Sequence, residues 1–506
     1  MADRDERDPR ATPGTRCRVR PLAGPDGRGA AGRVNTSGVD RASVGLRSQR
    51  GPVLLAVMLS TALVALDATI LATAVPSIVG SLGNFAQFPW LFSSYMLAQA
   101  VSVPIFSKLS DMYGRKPVIL TGVGLFLVSS VLAGCAWSMP SLIVFRVIQG
   151  LGAGAVAPMG MTIVGDIYTV AERAAVQGYV AGVWAVSSVV GPTLGGLLSQ
   201  FLSWRWVFFV NIPVALVAGW LLLRSYHEKI EREEHRVDFT GAAVLAIALS
   251  ALILGALEGG NAWEWLSVPT LVCGVVGVVG LAIFVAVERR AGEPIIDLAL
   301  VRRRVVASTT LVSLGIGALL VGMTSYVPTY LERTAGATPI AAGAAVAAVS
   351  IGWPVAASTA GRIYMRWGFQ RTVFLGGAIA TVGAALTAAL SPWPSVIGMA
   401  VCAFIIGLGL GYTAAPSLIM AQSSVEWNQR GSVTGLNMFA RSAGSAVGVA
   451  IYGAIATNLI RAGGGEGDPA TVIHASGWVF VAAAVTAVLM AAATLAVPRD
   501  EPDSVK

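Results

Sequence analysis

The sequence predicts an all-α integral membrane protein of about fourteen transmembrane helices, built as two six-helix bundles with two further helices inserted between them. Three observations carry that prediction. Hydrophobic residues make up 55% of the 506-residue chain and charged residues only 12%, roughly half the charged share of an ordinary soluble domain; mean hydropathy is +0.71. Apolar windows long enough to cross a ~30 Å hydrocarbon layer recur from Gly51 to Pro498. The two ends of that region also echo each other in sequence.

The first window, 52–78, contains "VALDATILATAVPSI" and so sets a carboxylate, Asp67, inside an apolar run. An Asp at the centre of a membrane helix costs roughly 2.5–3.5 kcal/mol on insertion scales and survives there with a partner, a water-filled cavity or a task. Windows 89–106 and 118–136 follow, joined by the polar stretch "SKLSDMYGRKPV". Window 141–164 holds one cation, Arg146, and three glycines, Gly150, Gly152 and Gly154. They lie in an apolar helical run and follow no strand, which argues against a nucleotide loop and suits close helix approach. In window 176–199, "GVWAVSSVVGPTLGGLL" sets Gly182, Gly191, Gly195 and Gly196 on one helix with Pro192, whose missing N–H makes that helix bendable while the glycines allow close packing. Window 206–223 completes six. Windows 240–257 and 267–287, flanked by charged loops, form the inserted pair, and 307–331, 338–360, 372–390, 395–420, 432–459 and 475–497 form the second six, the fifth of which carries Arg441. The expected domains are 51–224, a linker with two spans over 225–305, and 306–498, with cytoplasmic tails at 1–50 and 499–506. The first tail is rich in Arg, Gly, Asp and Pro and lacks the short apolar core of a signal peptide, which reads as disordered and basic.

"IQGLGAGAVAP" at Ile148–Pro158 is answered by "IIGLGLGYTAAP" at Ile405–Pro416, with Arg173 answered by Arg430 and Gly178 by Gly435 at the same offset. "SKLSDMYGRK" is answered more weakly by "GRIYMRWGFQR" at Gly361–Arg371, where Gly114 faces Gly368. Such symmetry is a signature of transporters built from repeats. Lys and Arg crowd into alternate loops: Lys108, Arg115, Lys116, Arg173, Arg224, Lys229, Arg232, Arg236, Arg289, Arg290, Arg302, Arg303, Arg304, Arg362, Arg366, Arg371 and Arg430 share one side, against Arg205, Arg333 and Arg461 on the other. The positive-inside rule then puts both termini in the cytoplasm and agrees with an even number of spans. Trp90, Trp137, Trp204, Trp206, Trp263, Trp265 and Trp393 fall at helix ends, as an interfacial aromatic belt would.

Other functions are disfavoured. Cys17, Cys135, Cys273 and Cys402 are scattered singly without clustered His, so neither a disulfide framework nor a metal site is indicated. His227, His235 and His474 read as loop residues, and no nucleophile–base or paired-acid constellation points to an enzyme. Glu258, Glu264 and Glu332 are expected to be solvated at outer helix ends. No G-x-x-x-x-G-K-[ST] loop is present, which argues against ATP-driven pumping. The formal charge of +8 comes from the basic tail and helix ends, so nucleic-acid binding is a poor reading. No cofactor is expected beyond a proton gradient.

"SKLSDMYGRKPV" resembles the signature of the major facilitator superfamily, G-x-L-x-D-x-x-G-R-[RK], with Ser107 in place of the first Gly and Asp111, Gly114, Arg115 and Lys116 at the other positions. "LIVFRVIQGLGAG" resembles that family's L-x-x-x-R-x-x-Q-G motif, and the Gly191, Pro192, Gly195, Gly196 series its antiporter motif. "LDATILATAVPSI", "EPIIDLALVRRR" and "RSAGSAVGVAIYG" are similar to stretches of its fourteen-span drug:proton antiporter branch (EmrB/QacA type). The resemblance implies a latch at the Ser107–Lys116 loop that holds one half against the other on the cytoplasmic side. Met365 stands where the repeat of that loop would have an acid, so a complete latch is expected in the first half alone. It also implies export of hydrophobic or amphipathic small molecules such as drugs and antibiotics from the cell by a monomer in the cytoplasmic membrane.

At ~1.5 Å per residue, Asp67 lies about 22 Å along its helix and Arg146 about 9 Å along one entering from the opposite side, so the two reach similar depths and are expected to face one cavity. Burial favours the neutral acid and a nearby cation the carboxylate, so Asp67 is placed to load a proton in one conformation and release it in another. A static structural ion pair is the competing account. Arg441 is read as touching cargo or pairing across the halves. An exporter dedicated to one metabolite or lipid and a non-transporting sensor remain as alternative functions.

Overall fold

A computed structural model describes residues 44–498 apart from 84–86, 88–89, 229–237, 260–262, 265–266, 293 and 463–467. Most of the expected basic tail, the C-terminal tail 499–506, Cys17, Lys229, Arg232, Arg236, His235, Trp265 and Glu293 lie outside the described residues. Among the described residues fourteen long helices follow one another: α1 (Gly51–Leu82), α2 (Trp90–Tyr113), α3 (Arg115–Gly134), α4 (Met139–Ile167), α5 (Val170–Phe201), α6 (Asn211–Ser225), α7 (Phe239–Glu258), α8 (Val268–Glu288), α9 (Arg304–Thr334), α10 (Pro339–Trp367), α11 (Phe369–Leu390), α12 (Val396–Ser423), α13 (Arg430–Ala462) and α14 (Pro469–Leu495). There are no strands among the described residues. This is the outcome hydrocarbon imposes, since a helix satisfies its own backbone hydrogen bonds.

All of them but α2 are long and apolar enough by composition to cross a membrane, α6 together with the single turn Trp206–Phe209 that precedes it. Ser94, Gln99, Ser102, Lys108 and Asp111 dilute the hydropathy of α2, yet its 24 residues span about 36 Å at 1.5 Å each. Local chemistry sets several helix starts. Ser138 with Ser141 and Thr169 with Glu172 close capping boxes on α4 and α5, and Asp238, Thr338, Ser395 and Asp468 accept from the first-turn amides of α7, α10, α12 and α14. Gly114 and Gly368, matched in the repeat, both take positive φ, 93° and 86°, where α2 turns into α3 and α10 into α11.

The sequence repeat is a packing repeat. In the first six helices α1 packs on α5 and α6, α2 on α4, and α3 on α4 and α6; in the last six α9 packs on α13 and α14, α10 on α12, and α11 on α12 and α14. Separate apolar cores follow, one around Leu54, Phe126, Met159 and Ile163, another around Ile316, Leu319, Ile406 and Phe480. The two six-helix sets meet through α2 against α13 and α5 against α10, again related by the repeat, and the inserted α7–α8 hairpin lays α7 against α2 and α13. Apolar side chains such as Val275, Val278 and Val279 of α8 stand exposed, as expected of a surface whose solvent is lipid.

Three expectations are corrected. Trp204 is buried, edge-on to Phe208, so it packs the core and does not anchor at an interface. Glu258, expected to be solvated, is 3% exposed. His474 lies in the second turn of α14 and accepts a hydrogen bond from Trp478 Nε1 at 3.3 Å.

Glycine sets the α9–α13 spacing: a Cβ at Gly444 would lie 1.9 Å from the carbonyl oxygen of Leu314, and one at Gly317 1.8 Å from that of Arg441. Backbone cannot yield as a side chain can, so Gly444→Leu is expected to destabilise the protein by at least the ~1–3 kcal/mol typical of overpacking. Thermal unfolding of purified protein in detergent checks this, with Gly343→Ala, where nothing lies within 4 Å of the added carbon, as the neutral control.

Candidate functional site

Two charged constructions and one small-residue seam stand out. The first lies inside the first six helices. Arg146 Nη1 on α4 donates to Asp67 Oδ2 on α1 at 2.6 Å, and both side chains are 1% exposed. The pair is embedded in further hydrogen bonds. Gln149 Nε2 donates to Asp67 Oδ1 at 2.8 Å and to Ser130 Oγ at 3.1 Å, and Gln149 Oε1 accepts from Arg146 Nη1 at 2.7 Å. Arg146 Nε donates to the Leu91 carbonyl at 3.0 Å, Asn211 Nδ2 reaches Asp67 Oδ1 at 3.5 Å, and the guanidinium carbon sits 4.2 Å from the centre of the Tyr95 ring. Asp67 and Arg146 therefore pair directly and are closed off from solvent, where the sequence suggested two groups facing a shared cavity. Gln149, Asn211, Ser130 and Tyr95 had not been singled out. Gln149 sits one helical turn after Arg146 in the L-x-x-x-R-x-x-Q-G stretch, which was the available signal; Asn211 lies in "SWRWVFFVNIP", which supports the family resemblance without singling that residue out, and Tyr95 carried no signal.

The seam adjoins this pair. A Cβ at Gly191 of α5 would lie 2.0 Å from Thr69 Oγ1, and one at Gly195 2.4 Å from the Ile70 carbonyl oxygen and 2.3 Å from Thr73 Oγ1. Thr69 Oγ1 also donates to the Ser187 carbonyl at 3.0 Å. α5 is thus pressed onto α1 within a turn of Asp67, with Pro192 inside the contact stretch. Gly182 and Gly196 take no part in it, since nothing lies within 4 Å of a carbon added at either.

The second construction joins the two six-helix sets. Asp111, at the end of α2, accepts from the amides of Gly431 at 2.9 Å and Ser432 at 2.6 Å and from Ser432 Oγ at 2.6 Å. A carboxylate therefore sits on the N-terminus of α13, where free amides and the helix dipole favour negative charge. The fully buried Arg115 binds Asp111 Oδ1 at 3.1 Å, lies 3.1 Å from Asp166 Oδ2, donates to the Ser110 and Trp427 carbonyls and covers the Trp427 ring at 3.7 Å. Arg430 returns the contact from the other set, at 3.0 Å to Asp166 Oδ1. Ser107 lies where a Cβ on Gly435 would come within 2.3 Å of its hydroxyl, so α2 and α13 touch there. Lys116 does not cross to the other set; its Nζ donates to the carbonyls of Leu223, in the last turn of α6, and Tyr226, just beyond it. Glu228 binds the Arg115 and Lys116 amides at the start of α3. Asp166, Glu228 and Trp427 were missed in the sequence because they match no repeated motif.

Arg441, on α13, forms no ion pair among the described residues. Its guanidinium lies 5.6 Å from the Trp353 ring of α10, and its Nε is buried without an acceptor. Among the described residues no group of three or more His, Cys, Asp or Glu is arranged to hold a metal.

A family model described as Major Facilitator Superfamily matches residues 57–449. The chain is similar to Multidrug resistance protein 3 of Bacillus subtilis (strain 168), 32% identical over 407 residues, 80% of each chain. It is also similar to the MFS-type efflux pump LUC4 of Fusarium sp, 30% identical over 408 residues, 79% of this chain and 72% of that one. Among solved structures, the human organic anion transporter MFSD10 (TETRAN) superposes with a TM-score of 0.61 at 16% identity, covering 87% of this chain and 99% of that one; at that identity the likeness is one of fold.

Removing the carboxylate from the α13 terminus strips hydrogen bonds and a charge–dipole contact worth about 1–3 kcal/mol together. Asp111→Ala is therefore expected to populate a longer distance between spin labels on Arg224→Cys and Arg366→Cys, at the same end of opposite sets, in an otherwise cysteine-free protein; double electron–electron resonance reads it. An unchanged distance distribution would show that this contact does not hold the two sets together.

Proposed function

The chain belongs to the Major Facilitator Superfamily, a family of transporters and not of enzymes, and on that premise we propose that it exports hydrophobic or amphipathic small molecules across the cytoplasmic membrane in exchange for protons. The observation that carries this reading is the buried Asp67–Arg146 pair. An intramembrane ion pair is costly to assemble and is not the cheapest way to brace helices, because a well-packed apolar pair would do as well. Asp67 has one cationic partner and two amide donors. When it takes a proton, Arg146 loses its counter-charge and must find another acceptor. That difference between states is the free energy an imposed proton gradient can use to bias a two-state machine.

In this reading α1 transmits the change. It is seated on α5 through Gly191 and Gly195 within a turn of Asp67, so a shift of α1 moves against the helix that Pro192 leaves bendable. The Asp111 and Arg115 contacts close the cytoplasmic side in one state and part in the other. Two bodies, 51–224 and 306–498, rock against each other, and 225–305 links them with its inserted hairpin. The hydrogen bonds named between the halves gather at the end rich in Lys and Arg: Asp111 to α13, Arg430 to Asp166, Gln422 Nε2 to the Met161 carbonyl, and Tyr364 Oη to the Val170 carbonyl. We accordingly assign this conformation to the state closed toward the cytoplasm, with both termini on that side and the monomer as the working unit. The names of the relatives, one a multidrug resistance protein and one an efflux pump, support the direction of transport.

The test is purified protein in liposomes with an imposed pH gradient, screened against dyes, antibiotics and lipids. Gradient-driven movement of several unrelated amphipathic compounds is expected from the wild type. Asp67→Asn keeps the shape and an acceptor for Arg146 but cannot exchange a proton at pH 7. Its gradient-driven flux is expected to fall to the level of protein-free vesicles while cargo binding survives; flux at the wild-type rate would reduce the pair to a structural brace.

A further inference from the structure

Among the described residues, Arg146 and Arg441 stand well inside their helices, away from the ends where the other helical arginines gather, and only Arg146 is compensated. Arg146 has its carboxylate and its amide. Arg441 has neither: among the described residues no carboxylate pairs with it, its Nε is buried without an acceptor, and its one recorded partner is the Trp353 ring, 5.6 Å away. It lies eleven residues into α13, about 16 Å along at 1.5 Å each, hence near the middle of a ~30 Å layer. A guanidinium cannot shed its proton there, and a buried cation without a counter-charge is among the more costly features a membrane protein can carry.

The surroundings say which way it points. Thr434, two turns earlier on the same face of α13, accepts a hydrogen bond from Gln422 Nε2 of α12 at 2.8 Å, and Arg441 itself reaches α10. This face therefore looks into the second bundle. α9, also of the second bundle, packs beside it at Gly444 and Gly448, and α2 of the first bundle lies about a third of a turn round the helix at Gly435. The residue as a whole is intermediate in exposure, and among the described residues its terminal nitrogens have no carboxylate partner.

We propose that Arg441 and Trp353 form a cargo subsite for amphipathic organic monoanions. A carboxylate, sulfonate or phosphate monoester takes the forked donors of Arg441, and a flat apolar body lies against the Trp353 ring. The proposal rests on the transport reading above and sharpens it, since it assigns this exporter a cargo class by charge. It also explains why the cation is tolerated, because cargo supplies the missing counter-charge in the loaded state. A lipid headgroup phosphate has the same chemistry, and the experiment separates the two sources.

The probes share one body and differ in charge: pyrenebutyrate, pyrenebutanol and pyrenebutylammonium, each titrated against the full-length protein in neutral detergent. Arg441→Gln is expected to weaken pyrenebutyrate binding by about 10- to 100-fold, the loss of a charge-assisted hydrogen-bonded pair, and to leave the neutral and cationic probes within about twofold. Arg441→Lys, which keeps the charge without the fork, is expected to fall between. Equal loss of all three probes, or pyrenebutyrate binding indifferent to Arg441→Gln, overturns the proposal. So does displacement of pyrenebutyrate from the wild type by dioleoylphosphatidylglycerol at matching concentration, which would assign the site to lipid. Gradient-driven flux of pyrenebutanol in liposomes is measured in parallel. If nothing moves with the gradient, the transport reading and this inference fall together; if flux persists and anion binding ignores Arg441, only the inference falls.

Discussion

Hydrocarbon will not solvate a charge, and that constraint organises this protein more than any single contact. Asp67 and Arg146 are tolerable because each is the other's counter-charge and because Gln149, Asn211 and the Leu91 carbonyl fill out their remaining valences. The network draws on α1, α2, α3, α4 and α6, so five of the first six helices are tied to one another at a single polar point. Truncating either partner would leave a buried charge uncompensated, a penalty of about 3–5 kcal/mol in comparable pairs. The same rule, applied at the charged end of the bundle, gathers Asp111, Asp166 and Glu228 around Arg115 and Arg430. There the carboxylates and Arg115 come from the first six-helix set, while Arg430 and the first amides of α13 come from the second, so satisfying the charges joins the two sets at that end.

Away from these points the helices are held by shape. Dispersion is the main attraction available between apolar helices in lipid, and it rewards close approach. Glycine supplies that approach where it matters: Gly191 and Gly195 seat α5 on α1, and Gly317 and Gly444 seat α9 on α13. The pairings α1–α5 and α9–α13 correspond under the internal repeat, and the glycines fall at both. Helix approach is therefore a conserved geometric solution within one molecule, executed twice with different residues. The first copy adds a proline and a buried acid to it, and the second adds the unpaired Arg441.

How far the sequence reveals all this follows from which signals are local. Spans are legible because hydropathy is a property of consecutive residues, and α6 is found even though Trp206–Phe209 makes a separate first turn. Asp67 and Arg146 are legible as individuals because a charge in an apolar run is conspicuous. That they meet at 2.6 Å is not, because 79 residues separate them and depth estimates fix only their height, leaving the direction each faces undetermined. Asn211 and Tyr95 are invisible for a further reason: a polar side chain near a helix end has many ordinary explanations until its partner is seen. Lys116 shows the opposite failure. Its place in a motif suggested a contact across the halves, but the motif fixes residue type and leaves the reach of a long flexible side chain open, and the nearest unsatisfied carbonyls are those ending α6.

The absence of an acid at Met365 has a physical explanation in the helix starts. The N-terminus of α5 is satisfied by its own chain: Thr169 and Glu172 close a capping box, and Glu172 also binds Arg50 at 2.9 Å. Across from it, α10 offers only Tyr364 Oη to the Val170 carbonyl. The N-terminus of α13 has no such arrangement, and its first amides are taken by Asp111 from the other half. The capping box already occupies the Thr169 and Glu172 amides, so the start of α5 offers a carboxylate across the interface fewer donors than the start of α13 does. The two symmetric interfaces therefore differ in strength. The α2–α13 contact is charged and directional, while the α5–α10 contact is neutral and rests on packing such as Gly178 against Ser358. On the proposed rocking of the two sets, the hydrogen-bonded α2–α13 interface is the one that must break and re-form, while the small residues of α5–α10 leave that interface free of directional bonds to break.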